Sequence, residues 1–229
     1  MKKLLILALF ASHTLFAQEF TKTLDDFAHI SLSKGIDATL VKSNSKVLKV
    51  KTFGLDEDDV IIENDHNELS IRVATKGLWN ELDDNHWWVR VEIPFQELKS
   101  IELNMGSRVI SRDIIKTDDL GIDVGTGSEV ELKIEVTELM LDVTTGSEVD
   151  IEGKADFLDV KAYMGSEVDL GSLTTRSVRA KSTMGSDLKV YASEKFDGQA
   201  SMGGMIKVYG DPVKFYESTN MGGDIWSNR

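Results

Sequence analysis

Three stretches of the chain carry almost the same text: TGSEVEL at Thr126–Leu132, TGSEVDI at Thr145–Ile151 and MGSEVDL at Met164–Leu170. Looser copies flank them: MGSRVIS from Met105, MGSDLKV from Met184, MGGMIKV from Met202 and MGGDIWS from Met221. The glycines are Gly106, Gly127, Gly146, Gly165, Gly185, Gly203 and Gly222, so a unit of about 19–20 residues repeats down the second half. Self-similarity at a fixed period of this size predicts a solenoid.

Within each unit the residues alternate. The third and fifth positions after glycine are mostly apolar, as in Val130 and Leu132, Val149 and Ile151, Val168 and Leu170. The second and fourth are mostly charged, as in Glu129 and Glu131, Glu148 and Asp150, Glu167 and Asp169. Period two with one wet face is a half-buried strand. The expected coil is a strand, a glycine corner, a second strand and a polar return. Glycine suits the corner because it reaches positive φ without a Cβ clash, and a stack of identical corners also calls for small residues. The serine after it (Ser107, Ser128, Ser147, Ser166, Ser186) can hydrogen-bond the turning backbone. A single coil cannot bury its own apolar side, so neighbours must stack on it. The competing architecture is an antiparallel sandwich of hairpins, which has no need to repeat one side-chain order at one period.

Residues 18–98 lack the glycine motif but remain strand-like. Ala38–Lys42 and Val47–Val50 read as strands joined through Ser43-Asn44-Ser45, and Leu69–Val73 and Trp87–Ile93 alternate cleanly. No amphipathic helix is evident. The expected class is all-β: an N-terminal β region, 18–98, continuous with glycine-punctuated β-solenoid repeats, 99–229. In the last coils Ala180, Ser182, Gly198 and Ala200 replace larger residues, which predicts a narrowing core, with Trp226 helping to close it.

The chain opens MKKLLILALFASHTLFAQEF, two lysines before a short apolar run and a small residue at Ala17. This is the pattern of a secretory signal, 1–17. The run is short for a membrane span, and no later segment is apolar enough to cross. Cleavage after Ala17 removes Lys2 and Lys3 and takes the net charge from −13 to −15. The expected location is periplasm, cell surface or the outside medium. So acidic a surface repels phosphate backbones, which argues against nucleic acid.

Little in the sequence promises catalysis. There is no cysteine, so thiolate chemistry and sulfur-ligated zinc are excluded. His29, His66 and His86 stand in three unrelated contexts. The corner serines form a repeated set, whereas a catalytic serine is singular. If the coils stack in register, Glu129, Glu148, Glu167 and Asp187 form one outward column and Glu131, Asp150 and Asp169 another. Like charges on adjacent strands repel. They either splay into water or hold cations such as Ca²⁺, which takes carboxylate oxygens; Glu129, Glu148 and Glu167 are the candidate metal residues. No other cofactor is expected. A second candidate surface is GLWNELDDNHWWVRV, where Trp79, Trp87 and Trp88 offer rings for a sugar or a protein.

Several features together resemble a known family. They are the export signal, an F-x-x-I-x-L-x-x-G-I-D-A-x-L opening at Phe27–Leu40, and an I-P-F-x-x-L-K-S-I-E-L-x-M-G-S join at Ile93–Ser107. With the glycine-punctuated repeats, they make the chain similar, from about Phe20 onward, to the head GIN domain family of adhesin-named envelope proteins common in Bacteroidetes. The resemblance implies a β-helical, sandwich-like fold exported to the envelope. It supplies no catalytic residues. Many members carry small or polar residues where this chain has its EVE and EVD carboxylates. The chain as written carries no membrane barrel, so self-secretion is not expected. The functional expectation is a non-catalytic envelope protein that binds a protein or glycan through a solenoid face. The alternatives are a carbohydrate-active enzyme on the same scaffold, or a structural protein assembling as a homo-oligomer.

Overall fold

The computed structural model describes residues 17–74 and 87–227. Within them eighteen strands join one continuous sheet, and a three-residue 3-10 turn, Glu57–Asp59, is the one helical piece. Residues 1–16, residues 75–86 with Trp79, and residues 228–229 lie outside the described residues.

The repeat builds parallel coils. Strands β9 (Arg108–Val124), β10 (Glu129–Val143) and β11 (Glu148–Tyr163) each run through most of a coil. Later coils break the same path in two: β12 (Glu167–Leu170) with β13 (Leu173–Thr183), β14 (Asp187–Tyr191) with β15 (Lys195–Ser201), and β16 (Met205–Tyr209) with β17 (Lys214–Asn220). Strand β18 (Asp224–Ser227) begins one more. Every pairing among these strands is parallel, and Val130 faces Val149, then Val168, Leu188, Ile206 and Ile225; between β9 and β10 the register shifts once, between Glu131 and Lys133. Hairpins would have paired antiparallel, so the solenoid is the architecture.

Strand β10 shows how one coil keeps one side dry. Val130, Leu132, Ile134 and Val136 are buried, Thr137 and Glu138 are both exposed, and Leu139, Leu141 and Val143 are buried again. The two-residue slip reverses the alternation just where the strand bends, so the inner side stays inner. Each buried Val, Leu or Ile contributes roughly 1.5–3 kcal/mol relative to exposure. No coil collects that without a neighbour.

The N-terminal strands continue the stack in an order that differs from chain order. Strands β2 (His29–Ser33) and β3 (Ile36–Lys42) make a coil around the corner Lys34-Gly35. On one side of it lie β8 (Ser100–Asn104) and β9, and on the other β6 (Glu68–Val73) and β7 (Trp88–Phe95), all parallel to it. Antiparallel strands then end the stack. Strand β5 (Val60–Asp65) pairs with β6, β4 (Val47–Phe53) with β7, and β1 (Gln18–Thr23) with β4. The consecutive strands β3 and β4 are therefore not neighbours, since β7 lies between them.

At the other end the core narrows as Ala180, Gly198 and Ala200 replace larger residues. Phe196, fully buried, fills the gap, its ring lying where a Cβ on Gly198 would be. Phe215 packs on it with ring centroids 4.8 Å apart. Trp226 does not close the core. Strand parity puts Ile225 inward, and Trp226 stands half-exposed on the outer face with the Lys207 ammonium 5.1 Å from its ring.

Candidate functional site

Eight Xaa-Gly pairs, from Lys34-Gly35 and Met105-Gly106 to Met221-Gly222, have both residues at positive φ. Two successive left-handed residues turn a chain tightly. The ladder runs on through the turn: the Gly127 N–H donates to the Thr145 carbonyl at 3.0 Å and the Gly146 N–H to the Met164 carbonyl at 3.1 Å. At five corners a serine follows the glycine (Ser107, Ser128, Ser147, Ser166 and Ser186), and each is buried. Ser128 and Ser147 donate to the Gly125 and Thr144 carbonyls at 2.7 Å, and Ser186 to the Ala162 and Thr183 carbonyls at 2.8 and 3.0 Å. Their hydroxyls are thus committed to the corner.

The glycine argument needs one correction. A Cβ at Gly106, Gly127, Gly146, Gly165, Gly185, Gly203 or Gly222 would meet nothing within 4 Å. Stacking does not demand small residues there; positive φ alone does. Packing demands glycine elsewhere, at Gly153, whose Cβ would fall on the Ile134 carbonyl, and at Gly204 and Gly223, set against the backbones of Ser182 and Ala200.

The acidic columns are in register: Glu129 faces Glu148, then Glu167, then Asp187, while Glu131 faces Asp150 and Asp169. Each column meets a cation at one end, the first at Arg108 and the second at Lys189. Above Glu129 sits Arg108, whose Nε lies 2.9 Å from Glu129 Oε1 and whose Nη2 lies 3.5 Å from Glu131 Oε2. The hydrogen bond to Glu129 raises the Arg108 pKa further. The first column continues upward through Asp37 and Arg90, themselves paired at 3.5 Å. In the second column Lys189 Nζ lies 2.8 Å from Asp169 Oδ2. Between these ends, Glu148, Glu167, Asp187 and Asp150 have no cation at ion-pair distance among the described residues. Burial, then Asp169, Glu131 and Glu152, push the Asp150 carboxyl above its ordinary pKa. Burial pushes Asp169 the same way, but the Lys189 bond and the Gly171 N–H outweigh it and hold its pKa below the ordinary value.

Among the described residues no three His, Asp or Glu side chains come together in a way that could hold a metal ion. Glu129, Glu148 and Glu167 lie on successive rungs of a ladder, not around one point.

The tryptophans serve the N-terminal cap. Trp87 is half-buried against the core, its ring within 3 Å of where a Cβ on Gly35 would sit. Trp88 points outward, stacked on Phe53 with centroids 6.1 Å apart and 11° between planes, and the Arg90 guanidinium lies 4.6 Å over its ring. Trp79, the third candidate, falls outside the described residues. Sequence reading missed a different exposed ring: Phe157, with Arg179, Asp159, Lys195 and Asp197, borders a shallow hollow of about 340 Å³ on the return side of the coils. Phase reversal after Thr137 is the signal that places Phe157 outward, opposite Glu138.

A hollow at the cap, about 300 Å³, is lined by apolar Leu24, Phe27 and Phe95 as well as by Ser43, Ser45 and Lys46. There Ser43 and Ser45 accept from turn N–H groups and Lys46 pairs with Asp26 at 2.8 Å. His29 Nδ1 is 2.7 Å from Ser100 Oγ between two coils, a tie and not a catalytic pair beside a cleft. No constellation of nucleophile, base and oxyanion donors occurs among the described residues.

The described residues thus form a parallel β-solenoid with an antiparallel cap and charged columns along one face. The chain belongs to the family described as "Putative auto-transporter adhesin, head GIN domain", which matches residues 26–212. Solved structures share the fold. A "putative adhesin" from Bacteroides fragilis superposes with a TM-score of 0.78 at 18% identity, covering 94% of this chain and 98% of that one. A "putative adhesin" from Parabacteroides merdae gives 0.69 at 14% identity, covering 93% and 96%. A "putative lipid binding protein" from Parabacteroides distasonis gives 0.70 at 16% identity, covering 93% and 97%. No curated protein matches the chain. No helix among the described residues is long and apolar enough to cross a membrane.

Proposed function

We propose that this is a non-catalytic, exported, adhesin-like protein that holds a basic protein partner along the acidic face of its middle coils. The observation that carries the reading is the in-register run Glu148, Glu167 and Asp187, with Asp150 beside it, lacking cations at ion-pair distance. Repulsion along such a run costs stability, and a cationic partner relieves it. Regular rungs repeat the same contact, which multiplies a weak interaction. The export signal in the sequence and the envelope character of the family support a location in the periplasm or at the cell surface.

The test is capture of envelope proteins by the mature chain, compared with a Glu148→Lys, Glu167→Lys double variant. Retained proteins should be basic, should elute as salt rises, and should be lost from the variant. Equal capture by both proteins overturns the acidic-face reading. Binding to a glycan array that survives in the variant would replace it with a glycan reading centred on Phe157 and Arg179.

A further inference from the structure

All seven methionines among the described residues stand on the surface, 49–75% exposed, and none enters the core. Methionine ordinarily fills cores. Five of the seven occupy one structural position, the first residue of the corner: Met105, Met164, Met184, Met202 and Met221. Four of these, Met164 to Met221, follow one another in successive coils. Each takes a left-handed conformation, φ between 47° and 57°.

The backbone does not ask for methionine there. Asn and Asp are the side chains that tolerate this region best, and none of the eight corners uses either. Lys34, Thr126 and Thr145 fill the same position in other coils. Nor is the stripe a broad apolar patch, for it is one residue wide and flanked by bare glycines. A Cβ at Gly165, Gly185, Gly203 or Gly222 would meet nothing within 4 Å, so the space at each corner glycine is open, and the methionine beside it is at least 49% exposed.

We propose that the corner methionines Met164, Met184, Met202 and Met221 form a binding ladder for a soft monovalent cation, Cu(I) or Ag(I). Thioethers select such ions over hard ones, and the chain has no cysteine to compete. Main-chain bonds hold the first three corners in step: the Gly165 N–H donates to the Met184 carbonyl at 3.1 Å and the Gly185 N–H to the Met202 carbonyl at 3.2 Å; the parallel register of β16 with β18 carries the alignment to Met221. Stacked strands repeat at about 4.8 Å, close to twice a metal–sulfur bond, taking the zinc–thiolate length of about 2.3 Å as the scale. Two thioethers on adjacent rungs can therefore flank one ion. The acidic columns, with Glu167 and Asp187 just past their corners, raise the local concentration of cations.

The probe is Ag(I), which is redox-silent, added to the mature chain in chloride-free buffer. Calorimetry and native mass spectrometry of the wild type should show uptake. A variant with Met164→Leu, Met184→Leu, Met202→Leu and Met221→Leu keeps the apolar bulk and should bind at least tenfold more weakly. Met140→Leu, exposed but away from the corners, should bind as wild type. Methyl NMR of unsubstituted protein gives a second readout that needs no variant. The corner methionine methyls should shift with Ag(I) and stay put with Ca²⁺, while the Met140 methyl moves with neither. Corner methyls unmoved by Ag(I), or a folded quadruple variant that binds like wild type, overturns the proposal.

Discussion

Asp150 and Asp169 face each other on adjacent parallel strands, yet their carboxyls are pushed in opposite directions, Asp150 toward the neutral form and Asp169 toward the ionised one. The difference is hydrogen bonding: Lys189, one rung beyond Asp169, bonds that carboxylate at 2.8 Å and the Gly171 N–H bonds it at 3.0 Å, whereas Lys189 reaches Asp150 only through space. Position in the column, and not residue type, decides the sign.

Opposite pH dependences follow. The raised pKa of Asp150 means the folded state binds its proton more tightly than the unfolded chain. Its contribution is most favourable below the unfolded pKa and is lost as pH rises through the folded one. Asp150→Asn should therefore stabilise the protein at pH 7, by about 0.2–1 kcal/mol, and the gain should vanish in acid. Asp169 has a lowered pKa, so its contribution is present above the unfolded pKa and lost as pH falls through the folded one. Asp169→Asn should destabilise at pH 7 by a similar amount. Thermal melts of both variants from pH 3 to pH 7 check this, and shifts of the same sign at pH 7 would refute it.

Glycine substitutions should separate conformation from packing. Gly146→Ala meets open space and bears only the left-handed penalty, about 1–2 kcal/mol. Gly153→Ala places its Cβ on the Ile134 carbonyl, with φ at +124°, and no flexible side chain can yield. It should cost more than about 3 kcal/mol or prevent folding. Urea denaturation ranks the two, and a Gly146→Ala variant as damaged as Gly153→Ala would show that the corner is packed after all.

The corner serines offer a third measurement. Ser186 is buried and bonds the Ala162 and Thr183 carbonyls, and its oxygen also accepts from the Thr183 N–H at 3.0 Å. Ser186→Ala strands these groups away from water, at a cost of roughly 1–3 kcal/mol. Exposed Thr174→Ala, a control on the coil surface, should change the denaturation midpoint little.

The solenoid was legible because identical coils must place identical residues at identical points, so the period from Gly106 to Gly222 reports the stacking directly. The cap was not, because its pairing is non-local. Strand β7 enters between β3 and β4 after some forty intervening residues, and nothing in Ser43-Asn44-Ser45 announces it. The first corner, Lys34-Gly35, escaped notice for a related reason. Ile36 stands where later coils have serine, and the next coil is displaced to Met105. Strand parity from Ile206 and Val208 would have put Trp226 outside and Ile225 inside. The acidic columns were legible from spacing, but the continuation of the first through Asp37 to Arg90 depends on the inserted strand β7.

The last coil carries its own protection against growth. Strands β17 and β18 have ladder partners on one side only, β15 and β16. Such an edge is a template for a second chain. Glu217 occupies an inward position there: the same column holds Leu141, Val160, Ala180 and Gly198, all buried, before reaching this exposed carboxylate. A second coil laid on this edge would bury that charge without a partner, at a cost of several kcal/mol. Glu217→Val removes the barrier and extends the apolar column to the end of the stack. The variant should self-associate at micromolar concentrations where the wild type shows less association. Sedimentation velocity over a concentration series makes the comparison. Identical profiles for both proteins would mean that the Glu217 charge is not what keeps the end from growing.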